Sequence, residues 1–135
     1  MSGERDLKAL LEGMQPVMQD GTFVFCAVAD GTEIPAAIRP RLIFREQEAT
    51  TIVIRRDEAD SLGFPCQFAS RLITVTIHSS LEAVGFLAAI TARLAKAGIS
   101  VNAVSAFHHD HLFVPHDRAD EALALLQSMT AQDAD

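Results

Sequence analysis

Tryptophan and tyrosine are missing from this chain of 135 residues, and all eight aromatic side chains are phenylalanine. A site that stacks nucleobases, or that uses a phenol as an acid, therefore lacks its usual side chains. Lysine is scarce, two residues against nine arginines, and eighteen acidic residues outnumber the eleven basic ones to give a net charge of −7. The excess is shared, −4 over residues 1–67 and −3 over residues 68–135. No basic run follows the spacing of a phosphate backbone, so nucleic acid is not the expected partner. The only cysteines, Cys26 and Cys66, form no CxxC pair and read as buried small apolar residues in a reducing compartment. Residues 1–13 hold no apolar signal core, and no apolar run approaches the length that spans a bilayer, so a soluble cytoplasmic protein without a membrane partner is expected.

What remains is enough apolar sequence, 49% of residues against 21% charged, for one well-buried core. Leu7, Leu10, Leu11 and Met14 recur at helical spacing before Gly13 and Pro16 close the segment. Residues 22–29 (TFVFCAVA) predict a buried strand, while Gly31, Pro35 and Pro40 leave no room for a full helix over 30–40. Residues 41–46 and 50–55 predict a hairpin, followed by a short helix capped by Asp57 and stopped by Gly63 and Pro65. Ile73, Val75 and Ile77 alternate with polar residues over 71–78, which predicts a strand with one covered face. A helix between Ser80 and Ala97 carries Val84, Leu87, Ile90 and Leu94 on one stripe and ends at Gly98. Its first turn lies either after Ser80 or at Val84. Residues 100–107 and 111–115 predict a second hairpin, Asp117 a cap for a last helix with Ala119, Leu123 and Leu126, and residues 131–135 a frayed tail.

The chain also repeats itself at an offset of sixty. Residues 52–60 (IVIRRDEAD) lie over residues 112–120 (LFVPHDRAD), with Asp57/Asp117, Ala59/Ala119 and Asp60/Asp120 identical. Both copies run from a hairpin's second strand into a helix. The expected domains are residues 1–67, a degenerate half with its first helix eroded, and residues 68–135, an intact half. The second half has three strands where a ferredoxin-like βαββαβ sandwich needs four. Residues 22–29 are the expected donor of the missing strand. The expected fold class is therefore α+β: two interlocked ferredoxin-like halves with antiparallel sheet and helices on one face.

Residues 85–105 (GFLAAITARLAKAGISVNAVS), continuing to 110–114 (DHLFV), resemble an ACT domain, a small ferredoxin-like module that binds amino acids and regulates metabolic enzymes. The resemblance rests on a glycine opening the first helix, an apolar stripe along it, an Ala-Gly-Ile stop and a hairpin with an Asp turn. It covers residues 71–128 well, and the eroded first half resembles paired, stand-alone bacterial ACT proteins. In that family the effector sits where the first strand enters the first helix. Here the resemblance implies ligand contacts at Ser79, Ser80, Glu82, Val84, Gly85, Phe86 and Asn102. Free amides and the positive end of a helix attract a carboxylate, Gly85 admits close approach, the serines offer hydroxyls, and Glu82 can receive an ammonium group. The bland alternatives are a helix cap for Ser80 and a first-turn acid for Glu82. The family's usual acid and proline before this glycine are replaced by Ser79-Ser80 and Val84.

Two other constellations compete. His108, His109, Asp110 and His111 have metal-ligand side chains, and strand alternation allows His109 and His111 to converge while His108 points elsewhere, so a solvated hairpin turn is the better account. Arg39, Arg41, Arg45, Arg55 and Arg56 could hold a carboxylate, or could pair with Glu46, Glu48, Asp57 and Glu58 on an exposed sheet edge. No phosphate loop or nucleophile motif appears, and no cofactor is called for. Three functions follow: a non-catalytic amino-acid-binding regulatory module acting as a homodimer, a structural homo-oligomerising protein without ligand, or a metal protein built on the histidine turn.

Overall fold

A computed structural model describes residues 6–76 and 84–134. Two compact units emerge, one discontinuous (Met1–Asp20 with Arg71–Asp135) and one inserted within it (Gly21–Ser70). The elements in chain order are α1 (Leu7–Gly13), β1 (Gln15–Met18), β2 (Phe23–Val28), β3 (Leu42–Arg45), β4 (Thr50–Arg55), α2 (Arg56–Leu62), β5 (Cys66–Thr76), α3 (Phe86–Lys96), β6 (Asn102–Ser105), β7 (Asp110–Pro115), a 3-10 turn (His116–Arg118) and α4 (Ala119–Ala134). The α+β, ferredoxin-like architecture expected from the sequence is present in both units, and the interlock is one of chain course.

The discontinuous unit orders its strands β1-β5-β7-β6. Its fourth strand is β1, paired antiparallel to β5 from Gln15↔Thr76 to Met18↔Ile73, and not residues 22–29 as the sequence suggested. Pro16 concealed β1, because proline is compatible with a strand that pairs along one side only. Helices α1, α3 and α4 pack on one face of this sheet: Leu10, Ile90 and Leu126 share a core with Ile73, Val75, Leu112 and Val114.

The inserted unit orders its strands β3-β4-β2 and closes with the first part of β5. Of residues 22–29, Phe23–Val28 form this unit's own central strand, β2, paired with β4 from Phe23↔Arg55 to Val28↔Thr50. Where the other unit places α3, this one has residues 29–41, and Ile34 and Ile38 from that loop pack on Val24, Cys26, Val28, Ile52, Ile54 and Ala59.

The sixty-residue offset holds pair by pair. Leu42↔Val53, Ile43↔Ile52, Phe44↔Thr51 and Arg45↔Thr50 reappear as Asn102↔Phe113, Ala103↔Leu112, Val104↔His111 and Ser105↔Asp110. The turn bond Glu46 N–H to Ala49 C=O (2.9 Å) likewise reappears as Ala106 N–H to His109 C=O (3.0 Å). Ala59 and Ala119 are both buried against their sheets, which explains why a small residue recurs there.

Several local expectations change. Asp57 lies inside the first turn of α2, and the reciprocal contact is Glu58 Oε1 accepting from the Arg55 N–H at 3.3 Å. Asp117 lies inside the 3-10 turn rather than capping α4, and α4 continues through Ala134 where a frayed tail was expected. Strand β5 starts at Cys66, and Leu72 and Thr74 are buried along with Ile73 and Val75, so both faces are covered. Gly63 (φ 69°) and Gly98 (φ 74°) end α2 and α3 in the left-handed conformation. In each case the next residue, Phe64 or Ile99, donates its N–H back to the carbonyl five residues earlier.

Candidate functional site

Helix α3 begins at Phe86, with Gly85 as the capping residue at φ 87° and its carbonyl accepting from the Ala89 N–H at 2.9 Å. The positive φ explains the glycine, since an L side chain rarely adopts it. A Cβ built at Gly85 would meet only Leu7 Cδ2, at 3.8 Å, so the conformation and not the space is what demands glycine. No acidic residue occupies the first turn and no side chain caps it among the described residues. The first amides of α3 thus lie at the positive end of an eleven-residue helix without a side-chain cap among the described residues. At the other end, Arg93 and Lys96 lie in the last turn, and Arg118 donates to the Ala97 and Gly98 carbonyls (3.0 and 3.2 Å).

The candidate residues divide. Ser79, Ser80 and Glu82 lie outside the described residues. Val84 precedes the helix instead of contributing to its stripe and is 84% exposed. Phe86 is buried in the core with Ile90 and Leu94, so its backbone N–H rather than its ring faces the opening of the helix. Asn102 is exposed on β6, opposite Phe113, and no hydrogen bond ties it to Gly85 or to α3 among the described residues.

The histidine turn is a polar network. His111 Nδ1 lies 3.0 Å from the Thr74 hydroxyl, which also accepts from Gln19 Nε2 at 3.2 Å. Asp110 is buried and accepts from the Ser105 hydroxyl. The His109 and His111 rings are 6.4 Å apart, and His109 Nδ1 is buried without a hydrogen-bond partner among the described residues. No group of three His, Cys, Asp or Glu among the described residues is placed to hold a metal ion.

Sequence reasoning missed the meeting of the two cysteines. Cys26 and Cys66 stand directly opposite each other where β2 pairs with β5, both as free thiols; Cys26 is buried as expected, but Cys66, at the start of β5, is exposed. Burial pushes the Cys26 thiol above its ordinary pKa, and its neighbour Cys66 adds to the shift. Among the described residues, the expected surface pairs of the arginine-rich hairpin are also not formed. Glu46 instead accepts from the Thr51 hydroxyl, Asp57 from the Glu58 N–H and Glu58 from the Arg55 N–H. No helix of the described residues is long and apolar enough to cross a membrane.

Family models described as ACT domain match residues 2–71 and residues 67–128. Among solved structures, a Vibrio cholerae protein of unknown function is 36% identical, with a TM-score of 0.84, covering 93% of this chain and 97% of its own. A protein from Agrobacterium tumefaciens is 18% identical, with a TM-score of 0.73 and coverage of 87% and 89%. The regulatory subunit of aspartate kinase from Thermus thermophilus, in a ligand-free form, is 9% identical with a TM-score of 0.58, covering 86% and 95%, a likeness of fold. A search of curated protein sequences gives no match.

Proposed function

Because the chain belongs to the ACT domain family, we propose that it is a non-catalytic regulatory module that holds a free amino acid at the turn leading into α3. One observation carries this reading, the N-terminus of α3 behind a left-handed Gly85, with no side-chain cap and no first-turn acid among the described residues. A ligand carboxylate would accept from those amides, as anions do at helix N-termini. Glu82, Ser79 and Ser80 are proposed to receive the ammonium group and the remaining polar contacts, and Val84 to flank the ligand. Asn102 belongs to the same proposal as a polar group on β6.

The test is a thermal shift of the full chain against the standard amino acids. A ligand at a hundred times its Kd stabilises a folded protein by about 2.7 kcal/mol, well above detection. Binding should vanish in Glu82→Gln combined with Ser80→Ala while the unliganded melting temperature stays near that of the parent. A flat response to every amino acid at millimolar concentration defeats the reading.

A second reading, self-association, draws on β3. This strand ends the sheet order of its unit and exposes Ile43 and Phe44 at 60% and 61%. An apolar edge strand is a template for pairing with a second copy. Sedimentation should show a dimer that Phe44→Lys converts to monomer, and a monomeric parent at high concentration would remove this reading.

A further inference from the structure

The end of the inserted unit's sheet where β2 starts and β4 stops gathers three arginines around a single carboxylate. Phe23, buried at 1% exposure, is flanked by two guanidiniums, with Arg41 Cζ 5.2 Å and Arg55 Cζ 5.6 Å from the ring centroid. Attraction between cation and ring face holds each in place. Together with Arg39 they line a cavity of about 470 Å³ whose other walls are Ala37, Pro40 and Glu58. Among the described residues, no carboxylate lies within ion-pair distance of Arg39, Arg41 or Arg55. Glu58, the one acid lining the cavity, already accepts the Arg55 backbone N–H.

The backbone fixes these arginines. Arg55 is the strand partner of Phe23, the Arg41 N–H is bonded to the Val53 carbonyl at 2.8 Å, and the Arg56 N–H to the Thr22 carbonyl at 2.8 Å. Pro40 between Arg39 and Arg41 sets one dihedral and restricts the residue before it. Gly21, at φ 101°, passes so close to Arg55 that a Cβ there would collide with Nη1. Three like charges held together around the one carboxylate of Glu58 leave an excess of positive charge, and their mutual repulsion is offset when an anion joins them.

We infer that Arg39, Arg41 and Arg55 form an anion-binding site in the inserted unit, taking a small organic molecule that carries two or more carboxylate or phosphoryl groups. The planar fork of each guanidinium suits bidentate contact with either group. The cavity volume falls within the range of small-molecule sites rather than that of a single bare ion. The site lies at the Phe23 end of β2, whereas the amino-acid site proposed above corresponds, in this unit, to the opposite end of its first strand.

Calorimetric titration of the full chain with pyrophosphate in one arm and citrate in the other, up to about 10 mM, tests the inference and separates phosphoryl from carboxylate ligands. Saturable binding of at least one is expected, weakened about tenfold or more in the Arg39→Gln/Arg41→Gln double variant. Both side chains are exposed, so the double variant should fold, which its melting transition checks. Arg41→Lys, which keeps the charge and loses the fork, should weaken binding by a smaller factor. Absence of binding in both arms, or undiminished affinity in the double variant, overturns the inference. So does an amino-acid response that disappears in the same double variant, because the two sites would then be one.

Discussion

The discontinuous and inserted units share a hairpin of identical register followed by a helical turn, and differ in what joins the first strand to the second. One joins them through α3, the other through residues 29–41 with no helix. The difference shows which part of the module is indispensable. The hairpin and the helix behind it recur residue for residue, with Ile52, Ile54 and Ala59 buried where Leu112, Val114 and Ala119 are buried. The first helix is replaceable by two isoleucines of a loop, at the expense of core size. Among the described residues, fifteen buried apolar side chains form one core and six the other.

The largest test of this contrast deletes the apolar contact that only α3 supplies. Ile90→Ala should lower stability by about 3 kcal/mol in urea unfolding, because Ile90 is fully buried. Ile38→Ala, its loop counterpart, is half-buried and should cost about 1 kcal/mol. Equal losses would break the contrast. Next in size, Ala59→Leu and Ala119→Leu overfill equivalent positions and should each cost about 2 kcal/mol. Markedly unequal midpoints in guanidinium would mean the two copies are packed differently in spite of their shared register.

A smaller effect is expected at the helix stops. Gly63→Ala and Gly98→Ala each place a methyl group in open space but in the left-handed region, so each should cost about 1 kcal/mol from backbone conformation alone. Calorimetric melting of the two variants would show whether α2 and α3 are terminated with the same energetics. The smallest effect concerns pH and belongs to the inserted unit. The Cys26 thiol has a raised pKa in the folded state, so its contribution is present below the unfolded thiol's pKa and is lost as pH rises through the folded value. Cys26→Ala should flatten the alkaline decline in melting temperature, and an unchanged decline would assign it to another group.

Much of this fold was legible in the sequence because its signals are local. Both hairpins, the glycine stops and the sixty-residue repeat follow from apolar alternation and turn residues over a few positions. The errors occur where pairing decides. Gln15–Met18 contains a proline, and only its place along one side of β5 makes it a strand. Residues 66–70 lack alternation, and Phe68 sits at φ 60° beside a register shift against β2, so the first part of β5 was hidden and with it the meeting of Cys26 and Cys66. The glycine before α3 was legible as the start of a candidate site, but the role assigned to Phe86 was not, since burial of its ring depends on tertiary packing. For the arginines, composition offered nearby acids as partners, and the structure turns three of them, Glu46, Asp57 and Glu58, to a hydroxyl and to backbone amides.

The pairing of β1 with β5 sets an order of events during synthesis. Gln15 is made sixty-one residues before its partner Thr76. The inserted unit, Gly21–Ser70, lies wholly between them and has all its strands once Ser70 has emerged. Chains lengthen on the ribosome at about 5–20 residues per second, slowly compared with the formation of a hairpin. Residues 15–18 therefore wait seconds for their partner strand while Gly21–Ser70 is being made. The proline within that strand, which concealed it in the sequence, also removes one backbone donor from the waiting edge and makes it a poorer template for a neighbouring nascent chain.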